Sequence, residues 1–314
     1  QEKFSLTSYD ATSVAIITLE VFAGMWINAF LVSVLCMAWV KKKTLNSNEK
    51  ILLVLGFSRF GYLCISWINS FFLIIYPNDI YVHPILQVVT VTQKFLDFSD
   101  ICVSACLCVF YCLKIANFRN SFFIYLKAKI DGIVPWLLLG SVFCSLIIGI
   151  LVYIADKQDC NNSTNCNNST SQGNFWKVKF KMDEQFLPIY FIIGFVFVTS
   201  FMAVIFSALL LLFSLWRHKQ SMQTNSMTDL SMDAHIRAMK SILSFFIMYN
   251  INLISLVVTL IYSTEGESPI QFLLYAFLYA FPGVHSLVLI FSNSKLENIL
   301  LRILHCVKWK LCMK

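Results

Sequence analysis

Apolar residues run along this chain in long stretches separated by short polar segments. Seven of them, residues 15–40, 51–75, 84–115, 133–154, 186–216, 236–262 and 270–291, reach the length a helix needs to cross a bilayer, about 20 mostly apolar residues. The third is the weakest, because Gln93, Lys94, Asp97 and Asp100 interrupt it. Its lower half, residues 101–113, is continuous and apolar, so it is expected as a span buried among the others. The first run is long enough to be a span and does not resemble a cleaved signal peptide. After Asn293 the pattern changes. Leu296, Ile299, Leu300, Ile303, Leu304, Val307 and Leu311 follow helical spacing, with Lys295, Arg302, Lys308 and Lys310 outside that stripe. Such a basic amphipathic helix lies in the membrane interface, so lipid is an expected partner. The expectation is an all-α membrane protein: a seven-transmembrane-helix bundle over residues 1–292 and a cytoplasmic amphipathic helix over 293–314.

Charge placement sets the expected orientation. The loops after spans one, three and five and the tail carry 17 Lys and Arg, against 5 on the other side. Cytoplasmic loops carry the basic excess, so the N-terminus is expected outside and the C-terminus in the cytoplasm of a multi-pass plasma-membrane protein. The loop over residues 155–184 reads CNNSTNCNNST at its centre, which makes glycosylation sequons of Asn161, Asn162, Asn167 and Asn168 on the side expected to face outward. Cys160 and Cys166 flank the first pair and are close enough to bridge.

Composition narrows the class. Apolar residues make up 58% of the 314 and charged residues only 13%, with mean hydropathy +0.72. Average soluble domains are about 25% charged, so too little polar surface remains to cover a water-soluble globule. The net charge of +7 does not indicate nucleic acid, because the basic residues gather in loops on one side of the spans. Of 11 cysteines, seven lie inside apolar runs, where Cys acts as a small hydrophobe. No CxxC pair is present, and neither a metal nor another cofactor is expected. Cys306 and Cys312, in the terminal helix, are either palmitoylation sites or ordinary interfacial cysteines. The chain has no GxSxG, HExxH or Walker motif, so an enzyme is not expected. It also lacks the internal repeat that would point to a transporter.

Chemistry within the spans rests on Glu20, Arg59, Lys94, Asp97 and Asp100. A central charge costs about 2.5–3.5 kcal/mol on insertion scales. Arg59, two turns into the second span, and Asp100, at mid-depth in the third, are therefore expected to pair. Asp97 lies one turn from Asp100 on the same face, and Lys94 one turn further out. Either Lys94 neutralises Asp97, or Asp97 anchors a cationic or donor-rich ligand. In the second case Gln93 is its polar partner, and Tyr249 and Tyr275 are aromatic walls.

Five segments carry a resemblance: LGFSR at 55–59, FYCLKIANF at 110–118, LLFSLWRHKQSMQ at 211–223, DAHIRAMKSILSFFIMY at 233–249 and HSLVLIFSNSKL at 285–296. Together they resemble the vertebrate bitter taste receptors, the taste receptor type 2 family of G-protein-coupled receptors, over essentially the whole chain. The resemblance implies a chemosensory receptor that binds small bitter compounds from outside and activates a heterotrimeric G protein of the gustducin or inhibitory type. It implies a polar centre at Asn28, Arg59 and Ser286, joined by His285. It assigns Tyr111 and Lys114 to the stand-in for the aromatic-acid-arginine motif of rhodopsin-like receptors. It places Leu215, His218, His235 and Lys240 where the G protein docks. The chain departs from the family at Gln93, where Trp is frequent, at Asp97, where Asn is frequent, and at Ser200, where Pro is usual. Asp100 is not a family hallmark, so this is a divergent member. The competing readings are a pheromone-type chemosensory receptor and a transporter or channel.

Overall fold

The computed structural model describes residues 8–75, 83–116, 120–162, 187–222 and 269–312, with Leu243, Phe246, Ile247, Tyr249, Asn250, Ile251 and Ile254. The described elements are all helices: α1 (Ser8–Lys42), α2 (Ser47–Ile75), α3 (His83–Ile115), α4 (Ser121–Asn162), α5 (Leu187–Met222), α6 (Pro269–Ser292) and α7 (Ser294–Cys312). Helices α1 to α5 are the first five predicted spans, α6 is the seventh and α7 is the amphipathic tail. Most of the sixth span lies outside the described residues, and its seven described positions are helical. Helices α1 to α5 are long and apolar enough to cross a membrane, and α6 passes the same test jointly with α7, from which it is bent by 103°.

Local chemistry sets the helix ends. α1 stops at three consecutive lysines, and Lys43 takes a left-handed conformation with φ 56° while its N–H donates to the Trp39 carbonyl at 2.7 Å. That is the single-bond helix cap that glycine ordinarily supplies. α2 opens with one half of a capping box, the Asn46 N–H donating to Glu49 Oε2 at 3.1 Å, and its first backbone helix bond runs from the Lys50 N–H to the Asn46 carbonyl at 2.9 Å. Asn120 caps α4 by accepting from the Phe122 N–H at 2.9 Å. Asn293 does the same for α7, accepting from the Lys295 N–H at 3.1 Å, which lets the chain turn sharply between α6 and α7. The expected loop from residue 155 begins later than its composition suggested. α4 continues through Asn162, because a helix leaving the bilayer keeps its own backbone hydrogen bonds in water.

α3 sits at the centre, touching α2, α4 and α5, and it is the most buried span. The expectation of a span buried among the others therefore holds. The main core joins Leu31 and Leu35 of α1, Leu52 and Leu55 of α2, Val103 and Leu107 of α3, Ile130 and Val134 of α4 and Leu289 and Ile290 of α6. Leu296 from α7 enters the same core, 1% exposed, and pins the first turn of the tail. The outside is apolar, with Trp26 76% and Trp136 73% exposed, as lipid contact requires.

α1 and α6 meet at a seam of glycines. A Cβ added at Gly283 would lie 2.9 Å from Gly24 Cα, a backbone atom that moves only with its helix, whereas one at Gly24 would meet the tip of Leu63 at 2.8 Å. Gly283→Ala is expected to cost about 1–3 kcal/mol, as overpacking does. Gly24→Ala should cost less, because the Leu63 side chain can rotate away. Thermal melting of the purified protein checks the order, and equal shifts would mean the seam has slack.

Candidate functional site

Four helices converge on Arg59, which is 0% exposed. Its Nε donates to Asp100 Oδ1 of α3 at 2.7 Å, which is the expected ion pair. Nη1 donates to Ser286 Oγ of α6 at 2.9 Å. Nη2 donates to Ser104 Oγ at 3.2 Å and to His285 Nδ1. Arginine has only donors, and that decides every proton around it. Ser286 must accept from Arg59, so its own proton goes to Asn28 Oδ1 of α1 at 2.7 Å, and Asn28 Nδ2 closes onto the Gly24 carbonyl at 2.8 Å. His285 must accept at Nδ1, which leaves its proton on Nε2. Ser104 accepts from Arg59 and donates to Asp100 Oδ1 at 3.4 Å. Beside the hub the Ser58 and Ser99 hydroxyls join α2 to α3 at 3.0 Å.

All five expected hub residues therefore meet: Asn28, Arg59, Asp100, His285 and Ser286. Ser104 was missed, although its place one turn after Asp100 was a usable signal. The Ser58–Ser99 pair had no signal, since serine is common on apolar helices.

A second polar group lies toward the N-terminus of α3. Gln93 Nε2 donates to Ser66 Oγ of α2 at 3.0 Å, and Asn69 Nδ2 donates to Gln93 Oε1 at 3.1 Å. Asn69 Oδ1 is buried with no hydrogen-bond partner among the described residues. One turn from Gln93 is Asp97, half-buried, whereas Lys94 is exposed. Among the described residues neither Asp97 nor Lys94 forms an ion pair within 4.0 Å. Lys94 is thus no direct bridge to Asp97, although it lies close enough to act on the carboxylate through space. Ser66 and Asn69 were missed, although they continue the Arg59 face of α2 at helical spacing.

The aromatic walls fare differently. Tyr249 is only 2% exposed, its ring stacked on Phe201 with centroids 5.4 Å apart and on Phe197 at 6.3 Å. It packs with Ile101, Ala105, Cys108 and Val204, a turn or more deeper than Asp97. The ring expected as an aromatic wall is therefore covered by two phenylalanines of α5. Tyr275 lies on α6, but its side chain is outside the described part.

At the other end of the bundle Tyr111 is half-buried and packs against the main core and the α3–α5 cluster. Lys114 Nζ donates to Asp131 Oδ2 of α4 at 2.6 Å, a partner that no sequence pattern announced. Leu215 and His218 lie on α5 with their side chains outside the described part; His235, Lys240, Cys166, Asn167 and Asn168 lie outside the described residues altogether. Cys160, Asn161 and Asn162 belong to the last turn of α4, again without described side chains. Among the described residues no group of His, Cys, Asp and Glu could hold a metal.

A buried polar hub thus joins the first, second, third and last spans, with a second polar group between α2 and α3. The family model described as Taste receptor protein (TAS2R) matches residues 6–308. The chain belongs to that family. It is similar to taste receptor type 2 member 2 of Homo sapiens, with 32% identity covering 93% of this chain and 95% of the relative. Taste receptor type 2 member 9 of Homo sapiens is 30% identical over 96% of each chain, and member 41 of Rattus norvegicus is 30% identical over 93% of this chain and 95% of its own. The resemblance read over essentially the whole chain is thereby shown. The chain is a bitter-taste chemosensory G-protein-coupled receptor with an all-α, seven-helix membrane fold. Ligand binding and G-protein coupling belong to it as a taste receptor, as does a multi-pass place in the membrane.

Proposed function

We propose that this taste receptor admits small bitter compounds between α2, α3 and the last two spans, and that Asp97 anchors those carrying a positive charge or several donors. The observation that carries the reading is the half-buried Asp97 carboxylate without an ion-pair partner. A buried acceptor on Asn69 without a partner among the described residues adds to it. Gln93 orients the polar wall, Lys94 stands at its rim and Tyr275 supplies an aromatic face, while Tyr249 acts from beneath. A carboxylate in a partly dry cavity attracts a cation more strongly than one in bulk water, because the effective dielectric is lower. On the opposite side Tyr111, Lys114, Leu215, His218, His235 and Lys240 receive a heterotrimeric G protein of the gustducin or inhibitory type. The hub of Asn28, Arg59, Asp100, His285 and Ser286 links the two sides and serves activation.

This reading has the N-terminus outside and the C-terminus in the cytoplasm of the plasma membrane. Glycans sit on one or two of Asn161, Asn162, Asn167 and Asn168, and Cys160 bridges Cys166. An epitope tag after Lys314 should be reached by antibody only in permeabilised cells, and Ser and Thr to Ala changes at 163–164 and 169–170 should raise gel mobility. Staining of intact cells would reverse the orientation, and unchanged mobility would remove the glycans. The decisive test is nucleotide exchange on a gustducin-type G protein by the reconstituted receptor, driven by a bitter amine. Exchange that ignores every amine while neutral compounds drive it would discard Asp97 as the anchor.

A further inference from the structure

The junction of α1, α2 and α7 gathers charge in a way that topology alone does not require. Lys41, Lys42 and Lys43 are exposed at the end of α1. Lys295 arrives from a distant part of the chain, held by Glu49 Oε1 at 2.5 Å, and Lys42 lies close enough to the same carboxylate to interact with it. Glu49 is buried and its other oxygen is committed to the Asn46 N–H, so one negative charge sits at the base of four lysines. A basic excess that merely sets orientation can be spread over any loop. Here Leu296, buried in the core, and the 103° turn between α6 and α7 carry the fourth lysine to the carboxylate that Lys42 also reaches, at the end of the α1 lysine run. Lys43 also keeps a left-handed backbone, φ 56°, the only such non-glycine among the described residues. That cap position favours glycine on steric grounds.

The depth of the cluster is marked by its neighbours. Trp39 and Val40, 54% and 78% exposed, precede the lysines, and an exposed tryptophan at a span end marks the headgroup level. The lysines therefore stand where lipid phosphates lie, beside an apolar surface suited to acyl chains. A headgroup with a single charge meets one lysine there, whereas one with several phosphates can engage Lys42, Lys43 and Lys295 together.

We propose that the junction of α1, α2 and α7 binds the headgroup of a polyphosphorylated phosphoinositide. Juxtamembrane clusters of four to eight Lys and Arg are the general signature of such recognition. The site is distinct from the agonist and G-protein surfaces, and it rests on the topology proposed above only for which leaflet supplies the lipid. The test therefore needs neither agonist nor G protein.

Detergent-solubilised full-length receptor is titrated with short-chain phosphatidylinositol bisphosphate, and bound lipid is counted by native mass spectrometry. Parallel titrations use short-chain phosphatidylserine and free inositol trisphosphate. The bisphosphate lipid should bind more tightly than either. Lys42→Gln with Lys43→Gln should weaken its binding roughly thirtyfold, about fivefold per lysine. Removing two exposed basic residues elsewhere, Lys129→Gln with Arg217→Gln, should leave it unchanged, and Lys42→Arg with Lys43→Arg should retain most of it if the glutamine pair folds poorly. Equal binding of phosphatidylserine, equal binding of the free inositol phosphate, or equal losses in the two glutamine pairs would each overturn the site.

Discussion

Asp100→Leu is expected to destabilise the receptor by about 3–5 kcal/mol, the cost of breaking a buried ion pair from one side. The purified protein should melt at a much lower temperature and little should reach the cell surface. The penalty is high because Arg59 is completely buried and none of its other partners, Ser104, Ser286 and His285, can carry a negative charge in the tautomer assigned. Arg59→Leu strands Asp100 in the same way and should cost a similar amount. The double leucine variant leaves no uncompensated charge. Its remaining cost is the set of donors lost to Ser104, Ser286 and His285, about 1 kcal/mol for each neutral hydrogen bond. Melting of the two single variants and the double should thus show strong coupling. Costs that add to within about 0.5 kcal/mol, the behaviour of independent sites, would show that the pair is not a unit.

Asp97→Asn should weaken cationic agonists by about 1.5–3 kcal/mol, the worth of a hydrogen bond to a charged group. In a calcium-release assay this is about a tenfold to more than hundredfold rise in half-maximal dose, while neutral agonists change little. The exposure of Lys94 and the absence of an ion pair to it within 4.0 Å among the described residues sharpen the expectation: Lys94→Ala should leave cationic agonists close to their parent dose, since no bridge is released. A marked gain in Lys94→Ala would mean that the lysine does neutralise the acid. Equal losses for charged and neutral agonists in Asp97→Asn, with normal surface expression, would make Asp97 a structural residue.

The sequence made the spans legible because the bilayer demands length and apolarity, and these survive in a one-dimensional reading. It made the Arg59–Asp100 pair legible for the same reason. Two charges in hydrocarbon are so costly that each must find the other, whatever the helix rotations. The softer contacts were not legible. Whether Ser104 turns toward Arg59, or Ser66 and Asn69 toward Gln93, depends on the rotation of α2 and α3 about their axes, and a hydroxyl on an apolar helix can equally bond its own carbonyl, as Ser145 does to Ser141 at 2.8 Å. The cover over Tyr249 was not legible either, because an aromatic in a span looks the same whether a ligand or two phenylalanines lie beside it. Lys295 and Glu49, far apart along the chain, meet only because α6 ends at Asn293 and turns. Each charge looked like an ordinary surface residue until that turn was known.

The hub also divides the molecule mechanically. α1, α2, α3 and α6 are stapled to one another by hydrogen bonds centred on a single guanidinium. Between α3 and α5 the described side-chain hydrogen bonding comes down to one thiol–hydroxyl contact, Cys102 to Ser200 at 3.9 Å, amid apolar packing. Hydrogen bonds break in discrete steps, while apolar side chains slide over one another through many near-equal arrangements. Displacing α2 therefore meets a wall and displacing α5 meets friction. Among the described helices, the slip plane this contrast sets runs between α3 and α5.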